Sequence, residues 1–413
     1  MTEARGGGAE IVVFSSLFPS AARPGAGLFI RERMFRVAQR RRLVVVSPQP
    51  WFPGQSLIRR VRAGYRPPVA TFEVQQGIDV HHPRFLSLPG VLRRLDGLSM
   101  ALACLPLLRR LRRDGARLID AHFAYPDGDA ATRLGRWLGL PATVTLRGTE
   151  VPHSRNPVLR RRLRRVVRDA ARVFSVSDSL RRLALELGAD PRKTEVVGNG
   201  VDVGVFHPVD RAAARARFGL PDDARVLVSV GGLVERKGMH RVLDCLPALR
   251  AQWPDLHYLV VGGASAEGDM RAELEARTAR LGFAGRVHFP GTLPPAELKW
   301  ALSAADVFVL ATRNEGWANV FLEAMACGLP VVTTDVGGNR EVVGSAELGR
   351  VVPFGDASAL TAALTDALRT DWDREAIIDY ARRNQWDARI EQLLRAFDTI
   401  VGIRSGDAEF APR

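Results

Sequence analysis

Two closely spaced glutamates, Glu315 and Glu323, stand at a predicted helix start, where carboxylates could hold a ligand. Asn319 is expected to cap a short helix over 321–327, which leaves backbone N–H groups unpaired around 317–321. Such a helix start is a ready site for an anion. Beside a bound phosphate, the two carboxylates could accept from hydroxyl groups of a sugar and a ribose. The alternative is a solvated loop glutamate and an ordinary surface glutamate, and two glutamates alone favour that alternative.

Two glycines and two cations follow an apolar run in the same half of the chain. Gly231 and Gly232 end a predicted strand and let the backbone approach a ligand, and Arg236 and Lys237 come directly after them. A departing diphosphate develops negative charge, which fixed cations neutralise. An isolated Arg-Lys pair is usually a solvated surface. After a Gly-Gly strand end, the pair favours a diphosphate site.

The first half of the chain offers candidates at the ends of other predicted strands. Gly25 and Gly27 follow the first strand, and their backbone amides could reach a phosphate. His122 follows the apolar run 116–119 and is expected at the carboxyl end of a strand, a place where a lone histidine is as often structural as functional. Arg147 and Glu150 follow a further strand at the same rim, which is where ligands bind in open parallel sheets.

Other signatures are missing from the sequence. It contains neither a G-x-G-x-x-G fingerprint nor a G-x-x-x-x-G-K-[ST] phosphate loop. Two D-x-D triplets, 127–129 and 371–373, do not lie where a metal-bound diphosphate would, and we interpret both as chance. Three widely separated cysteines argue against a zinc site and a disulfide framework. We therefore expect no metal and no cofactor beyond a co-substrate.

Apolar runs alternate with helical patterns along the chain, which indicates the α/β class with parallel sheets. The Gly- and Pro-rich segment 198–208 separates two such series, so we expect two doubly wound, Rossmann-like domains that face each other across a cleft. The predicted domains are 1–200, 201–375, and a helix with a mobile tail over 376–413 that packs back on the first domain. The predicted strands begin at 10, 42, 143, 225, 258, 307 and 330, and the predicted helices cover 239–252, 267–281 and 380–403.

The net charge of +14 comes largely from arginine. Such an excess suits phosphorylated ligands, an anionic membrane surface or nucleic acid, although the codon usage of a GC-rich genome explains part of it. Without zinc-finger spacing or an RNP-like aromatic run, we expect no nucleic-acid partner. The basic amphipathic segment 158–173 is explained equally by core packing and by binding at a membrane surface, and the arginines of 93–113 favour anionic lipid.

Membrane-crossing and export segments are not predicted. Residues 1–10 lack the apolar core of a signal peptide, and the longest apolar run, 97–108, is too short to span a bilayer. We expect a cytoplasmic protein, peripheral at the inner face of the membrane.

Taken together and in this order, these elements resemble the family 4 retaining glycosyltransferases of GT-B fold. The likeness covers nearly the whole chain and is strongest over 228–343. The elements that carry it are the E-x7-E pair Glu315 and Glu323, Gly231-Gly232 with Arg236-Lys237-Gly238, and the segments 173–177, 198–202 and 337–341. Residues 122–128 look like members that build extracellular polysaccharides, including teichuronic-acid-type enzymes.

The resemblance implies that the chain binds a nucleotide-diphosphate sugar. It implies that Arg236 and Lys237 neutralise the diphosphate and that Glu323 holds the ribose hydroxyls. Gly27 would approach the diphosphate from the other half, and His122 would contact the donor sugar near the reacting centre. The residues implied to hold the donor sugar and its phosphate are Glu315, Gly316, Trp317, Ala318, Asn319, Val320 and Phe321.

One departure from the family concerns Arg147 and Glu150, since many members carry His-Gly-x-Asp where this chain has Arg-Gly-Thr-Glu. Arg147 could add a cation for an anionic donor or acceptor. The resemblance further implies transfer with retained anomeric configuration. We prefer a front-side mechanism without a metal, in which the leaving phosphate takes the acceptor proton. The matching acceptor is a glycan or a polyprenyl-diphosphate-linked glycan.

Two alternatives remain at the level of sequence. Another sugar-nucleotide enzyme of the same fold would be an epimerase, active without an acceptor, or a phosphorylase, which needs a large cofactor and free phosphate. A non-catalytic basic protein of this fold would bind anionic lipid or polynucleotide and leave nucleotide sugars untouched.

Overall fold

The computed structural model describes residues 9–61, 65–88, 93–265 and 267–402. The chain divides into two units: the first runs to Asn199 and takes up the chain again from Arg389, and the second spans Gly200–Ala388. The first boundary lies inside the Gly- and Pro-rich segment. The second lies later than the predicted residue 376, because the helix Arg374–Arg383 packs against the helix Asn319–Ala326 of the second unit.

The first unit is built on an eight-stranded sheet in the order β10-β9-β8-β7-β1-β2-β5-β4, in which only β4 is antiparallel, and on a parallel pair, β3-β6. The strands are β1 Ile11–Phe14, β2 Leu43–Val46, β3 Gln49–Trp51, β4 Phe72–Gln75, β5 Ile78–His81, β6 Arg84–Leu86, β7 Leu118–His122, β8 Ala142–Leu146, β9 Arg172–Ser175 and β10 Thr194–Val196. The helices are α1 Leu28–Ala38, α2 Gln55–Val61, α3 Asp96–Arg113, α4 Asp129–Leu138, α5 Glu150–Arg155, α6 Pro157–Asp169 and α7 Asp178–Glu186. The central strands β1, β7 and β8 are buried along their whole length, as expected for a parallel sheet covered on both faces.

The second unit is built on a six-stranded, wholly parallel sheet in the order β13-β12-β11-β14-β15-β16. Its strands are β11 Arg225–Val230, β12 Leu256–Val261, β13 Val287–Gly291, β14 Val307–Leu310, β15 Val331–Thr334 and β16 Gly349–Val352. Its helices are α8 Arg211–Arg217, α9 Met239–Arg250, α10 Arg271–Arg280, α11 Pro295–Ser303, α12 Asn319–Ala326, α13 Asn339–Val343, α14 Ala357–Arg369 and α15 Arg374–Arg383, after which α16 Trp386–Val401 leads into the first unit. The α/β class with two parallel-sheet domains is confirmed.

Several predicted helix bounds differ from the structure. The helix predicted from 267 begins at Arg271, after Asp269 accepts a hydrogen bond from the Arg271 backbone N–H. The helix predicted over 380–403 was wrong, since it is broken at Asn384, whose side-chain amide donates to the Tyr380 carbonyl. Asn319 was wrong as the helix cap, because it is the first helical residue and Ala318 takes the cap position. Residues 1–8 and 403–413, including most of the predicted tail, lie outside the described part of the chain.

Candidate active site

The second unit brings Glu315, Arg236 and Lys237 together where parallel strands end. Arg236 and Lys237 lie in a 3-10 turn after β11, and Glu315 lies on the loop between β14 and α12. Because β11 and β14 pair in parallel, both loops leave the sheet at the same edge. Gly238 closes the turn with a left-handed backbone, and a Cβ there would collide with the Ala311 carbonyl oxygen. The glycine of the Arg-Lys-Gly element is therefore required by the close approach of these two loops.

The Glu315 carboxylate is held through one of its oxygens. Glu315 Oε1 lies 2.6 Å from Lys237 Nζ, 3.3 Å from an Arg236 terminal nitrogen and 3.2 Å from the Thr312 hydroxyl. The exposed fraction of the Glu315 side chain is 10%, and that of Lys237 is 17%. Half-buried charges interact more strongly than fully solvated ones. The two cations predicted from the sequence are thus placed beside the first glutamate of the E-x7-E pair.

Arg236 has a second carboxylate partner that the sequence analysis missed. Its Nε and one terminal nitrogen lie 2.8 and 2.6 Å from the two oxygens of Glu267, a bidentate pair. This hydrogen bonding raises the pKa of Arg236 and lowers the pKa of Glu267. The guanidinium also donates to the Asn314 carbonyl at 3.0 Å. Arg236 is therefore oriented from two sides before any ligand binds.

The start of α12 contains a buried donor without an acceptor. The indole Nε1 of Trp317 is buried and has no hydrogen-bond partner among the described residues. Leaving a buried N–H unpaired costs about 1–3 kcal/mol, which a ligand oxygen would recover. Ala318 and Phe321 are buried in the core, so only their backbone could face a ligand, whereas Glu323 is half-buried. The predicted anion site at 316–321 thus lies at a helix start.

Four glycines shape the backbone around this site. A Cβ on Gly337 would collide with the Glu315 carbonyl oxygen, and φ of Gly337 is 55°. Gly231 and Gly232 follow β11 as predicted, and the Gly231 carbonyl oxygen lies where a Cβ on Gly262 would stand. Substitution at Gly337 would therefore displace the loop that carries Glu315.

In the first unit, His122 and Arg147 form a buried pair. His122 ends β7 and is fully buried, and its Nδ1 accepts from Arg147 Nε at 3.2 Å. Burial, followed by the charge of Arg147, lowers the pKa of His122 well below its ordinary value. Nε2 of His122 lies 3.5 Å from Asp120 Oδ2 and has no hydrogen-bond partner in the described residues. The predicted contact of His122 with a donor sugar stays a prediction, since no part of the side chain is exposed here.

Glu150 has a structural task in this arrangement. Its Oε1 accepts from the Ala124 backbone N–H at 2.9 Å, and its Oε2 accepts from those of Arg147 and Gly148 at 3.1 and 2.8 Å. The side chain is fully buried. Its oxygens therefore tie the end of β8 to the segment after β7, and the role of Glu150 at the rim stays a prediction.

Gly27 is the cap residue immediately before α1, and its backbone is left-handed with φ 69°. A Cβ there would collide with the Leu17 carbonyl oxygen, so the loop after β1 needs a glycine at this position. No side chain caps the helix, and its first turn contains no acidic residue. This placement is compatible with the predicted approach to a phosphate, which stays a prediction.

The segment after β7 is strained and internally bonded. Phe123 has φ 73° and ψ 141°, a conformation that a bulky side chain rarely adopts. Asp127 is buried, and its two oxygens accept from the backbone N–H and the hydroxyl of Ser16. Asp129 forms ion pairs with Arg133 and Arg165. Both acids of the first D-x-D triplet thus have protein partners, and strain next to His122 is a feature often found at functional sites.

No group of three His, Cys, Asp or Glu side chains with the spacing of a metal site occurs in the described ranges. The three cysteines are buried and are not disulfide-bonded. Metal independence stays a prediction.

The apolar stripe of α6 is accounted for by packing. Leu163, Val166 and Val167 are buried in the first unit, while Arg165 pairs with Asp129. Core packing therefore explains the stripe, and only the arginine-rich side of α6 remains for a membrane surface. In the ranges that the structure describes, no helix has the length and apolar character needed to cross a bilayer.

Solved structures with the same fold are glycosyltransferases of GT-B type. Sucrose-phosphate synthase from Thermosynechococcus elongatus superposes with a TM-score of 0.77 at 20% identity, covering 96% of this chain and 100% of that one. Anabaena Alr3699/HepE, solved in complex with UDP-glucose, superposes with a TM-score of 0.68 at 20% identity, covering 94% and 99%. The fold therefore defines a protein of the GT-B class.

Sequence relatives place the chain more narrowly. The profile of Glycosyl transferases group 1 matches residues 210–384, and that of Glycosyltransferase Family 4 matches residues 57–205. A Bacillus subtilis protein provisionally named as the teichuronic acid biosynthesis glycosyltransferase TuaC is 29% identical over 86% of this chain and 88% of its own length. D-inositol 3-phosphate glycosyltransferase of Corynebacterium urealyticum is 33% identical over 67% of this chain and 69% of its own. The chain belongs to the family 4, group 1 glycosyltransferases, which confirms the resemblance.

Proposed function

We propose that this glycosyltransferase moves a sugar from a nucleotide-diphosphate sugar to a saccharide or lipid-linked saccharide acceptor in the synthesis of cell-surface or extracellular polysaccharide. The observation that carries the proposal is the position of Lys237 2.6 Å from Glu315, beside the start of α12. A carboxylate held by cations at a helix start supplies hydroxyl acceptors and phosphate donors in one place.

The chemistry follows from which atoms remain available. Glu315 Oε1 takes the contacts with Lys237, Arg236 and Thr312, so Oε2 can accept from a sugar hydroxyl. Lys237 has three donor positions and uses one on Glu315, which leaves two for phosphate oxygens. As the glycosidic bond to the leaving phosphate breaks, the negative charge that develops on the diphosphate is stabilised by both cations. The acceptor oxygen bonds to the anomeric carbon on the same face, and its proton passes to the leaving phosphate, which gives retention.

Other proteins support this assignment. Anabaena HepE is solved with UDP and with UDP-glucose, and the Bacillus subtilis relative is named for teichuronic acid biosynthesis. The two cations neutralise the diphosphate charge that a metal would otherwise neutralise, and the buried Trp317 N–H can donate to a ligand oxygen. We therefore propose metal-independent transfer. The protein would act in the cytoplasm, peripheral at the inner face of the membrane, where the arginines of α3 and α6 meet anionic lipid.

The test is ligand-induced stabilisation followed by transfer. Thermal unfolding is measured with UDP-, GDP- and ADP-sugars, with and without EDTA, on wild type and on Arg236→Ala/Lys237→Ala. We expect one nucleotide class to raise the melting temperature of the wild type, equally with EDTA, and not that of the double variant. The matched control is Arg280→Ala/Arg383→Ala, which removes two exposed arginines from the same unit and should respond like the wild type.

The outcomes separate the alternatives. Turnover of the stabilising donor only when a glycan acceptor is added supports transfer, whereas conversion of donor alone would indicate an epimerase. Turnover that requires free phosphate would indicate a phosphorylase. Stabilisation by no nucleotide, in a protein that is folded, would overturn the proposal in favour of a non-catalytic basic protein. Loss of turnover with EDTA would overturn metal independence alone.

A further inference from the structure

A pocket opens in the first unit beside the parallel pair β3-β6. Its wall combines residues of these strands, of α2 and of the loops after β1 and α2, and its cavity volume is about 70 Å³. Gln49 and Arg84 stand opposite each other in the register of the two strands. The lining residues are Arg23, Gln49, Pro50, Trp51, Gln55, Arg59, Arg66, Pro67, Pro68, Val69, His82 and Arg84.

The charge of this wall has one sign. Four arginines line the pocket, and the lining contains no carboxylate. Glu73 is hydrogen bonded to His82 at 2.9 Å, and Asp96 interacts electrostatically with Arg66. Among the described residues, no acid forms an ion pair with any of the four arginines. Cations gathered in a concave surface create a field that concentrates anions.

Several polar atoms in this wall are buried without a partner in the described part of the chain. They are Nε of Arg23, Nε of Arg59 and Oε1 of Gln55. Gln55 is 6% exposed, and burial lowers the pKa of Arg23. Arg23 is held in place by its bond to Gln49 Oε1 at 2.6 Å, and Arg66 by its bond to the Ser87 carbonyl at 3.1 Å. Buried polar atoms that are held in place without a hydrogen-bond partner raise the free energy of the folded protein unless a ligand supplies the partner.

The surroundings of the pocket are apolar and exposed. Trp51 lies in the wall and is 38% exposed, and Leu57 and Val61 on α2 are 59% and 88% exposed. Leu86, next to Trp51 in the strand register, is 52% exposed. An apolar rim around a cationic pocket matches a ligand whose anionic group is joined to a hydrophobic chain.

We propose that this pocket binds the phosphate or diphosphate group of the acceptor, which is therefore a phosphorylated, lipid-linked saccharide. Arginine suits this ligand because its planar fork pairs with two phosphate oxygens at once. The unpartnered Gln55 oxygen accepts a hydrogen bond from a hydroxyl of the group that is joined to the phosphate. The assignment to the acceptor rests on the proposed function, whereas the phosphate-binding property does not.

The experiment is calorimetric titration with inorganic pyrophosphate and with farnesyl diphosphate. It uses the full chain that carries Arg236→Ala/Lys237→Ala, so that the donor site does not compete. In this background, Arg59→Gln/Arg84→Gln tests the pocket, and Arg60→Gln/Arg136→Gln is the control, because it removes two exposed arginines that neither line the pocket nor belong to α3 or α6. Melting temperatures establish folding, and Arg84→Gln alone is the milder variant if the double variant unfolds.

We expect both probes to bind the background protein and the control, and the pocket variant to bind them about tenfold more weakly or worse. Equal binding by pocket variant and control would overturn the proposal. A second arm measures sedimentation with phosphatidylcholine vesicles, with and without phosphatidylglycerol. If the pocket variant loses phosphatidylglycerol binding relative to the control, the anion is a membrane headgroup and the acceptor assignment is overturned.

The two proposals fail in distinguishable ways. If no nucleotide sugar is turned over by the wild type while pyrophosphate still separates the pocket variant from its control, the proposed function fails and the phosphate site stands. If turnover is intact while pyrophosphate binds both variants equally, the phosphate site fails alone.

Discussion

Arg147 donates to Nδ1 of His122 from both Nε and a terminal nitrogen, at 3.2 and 3.1 Å. A ring nitrogen that accepts these bonds carries no proton, so the proton of the neutral imidazole lies on Nε2. Burial and the charge of Arg147 hold the pKa of His122 well below its ordinary value. Arg147 therefore fixes the tautomer of His122.

This pairing predicts the behaviour of His122 in solution. We expect His122 to stay neutral with its proton on Nε2 between about pH 5 and pH 8, the range in which an unperturbed histidine titrates. The measurement is ¹⁵N NMR of histidine-labelled protein, with the signal assigned by its loss in His122→Gln. In Arg147→Met the titration should move toward the ordinary range. A wild-type His122 signal that titrates like that of an exposed histidine would contradict the pairing.

The close contact around Gly337 predicts that a substitution there destabilises the protein by more than backbone strain alone would. In Gly337→Ala the new Cβ meets the Glu315 carbonyl oxygen and the backbone is left-handed. Gly355→Ala is the control, because Gly355 is also left-handed but open around its Cα. We expect about 1 kcal/mol of destabilisation for the control and roughly 2–4 for Gly337→Ala. Urea denaturation measures both, and equal values would show that the loop accommodates the methyl group.

Asp127 predicts a pH-dependent contribution to stability. Burial raises the pKa of Asp127 to about 7 from an ordinary value of 3.8. Between these values the folded state binds more protons than the unfolded state, so this contribution to the free energy of unfolding falls as pH rises. Asp127→Asn keeps an acceptor for the Ser16 N–H and removes the titration. We expect the variant to gain stability over the wild type from pH 4 to 7, by on the order of a few kcal/mol.

The measurement for Asp127 is denaturation in urea at several pH values. Asp114→Asn, which changes an exposed aspartate, serves as the control and should keep the wild-type pH dependence. If Asp127→Asn and the control show the same slope against pH, Asp127 ionises as it would in water.

The burial of Phe397 predicts that α16 contributes to the stability of the first unit. Its ring packs edge-on against Phe174 of β9, with centroids 6.1 Å apart, and the side chain is 2% exposed. Phe397→Ala should cost about 3–5 kcal/mol through lost burial and a cavity. Thr399→Ala, on the exposed side of the same helix, should cost less than about 1 kcal/mol. Similar melting temperatures for the two variants would show that α16 contributes little to the first unit.

The core strands, and the contact between Glu315 and Lys237, could both be predicted from the pattern of buried parallel strands. A wholly buried strand such as 307–310 is written as an uninterrupted apolar run, and the loops that leave parallel strands emerge at one edge. The burial of Glu150 was not predictable, because it depends on the Ala124 backbone N–H from the segment after β7. The Arg236–Glu267 pair was missed because the sequence analysis placed Glu267 at the start of a helix, whereas it lies in the loop before α10.

The first unit is discontinuous in sequence: its final helix follows the entire second unit. During synthesis the ribosome therefore completes the strands up to β10 long before Phe397 and Asp398 emerge, and Asp398 is the residue that clamps Arg41 with bonds of 2.8 and 2.9 Å. Until then, the side of β9 that Phe397 covers is exposed to solvent and to chaperones. A nascent chain halted anywhere within the second unit therefore lacks the contacts that Phe397 and Asp398 make in the first unit.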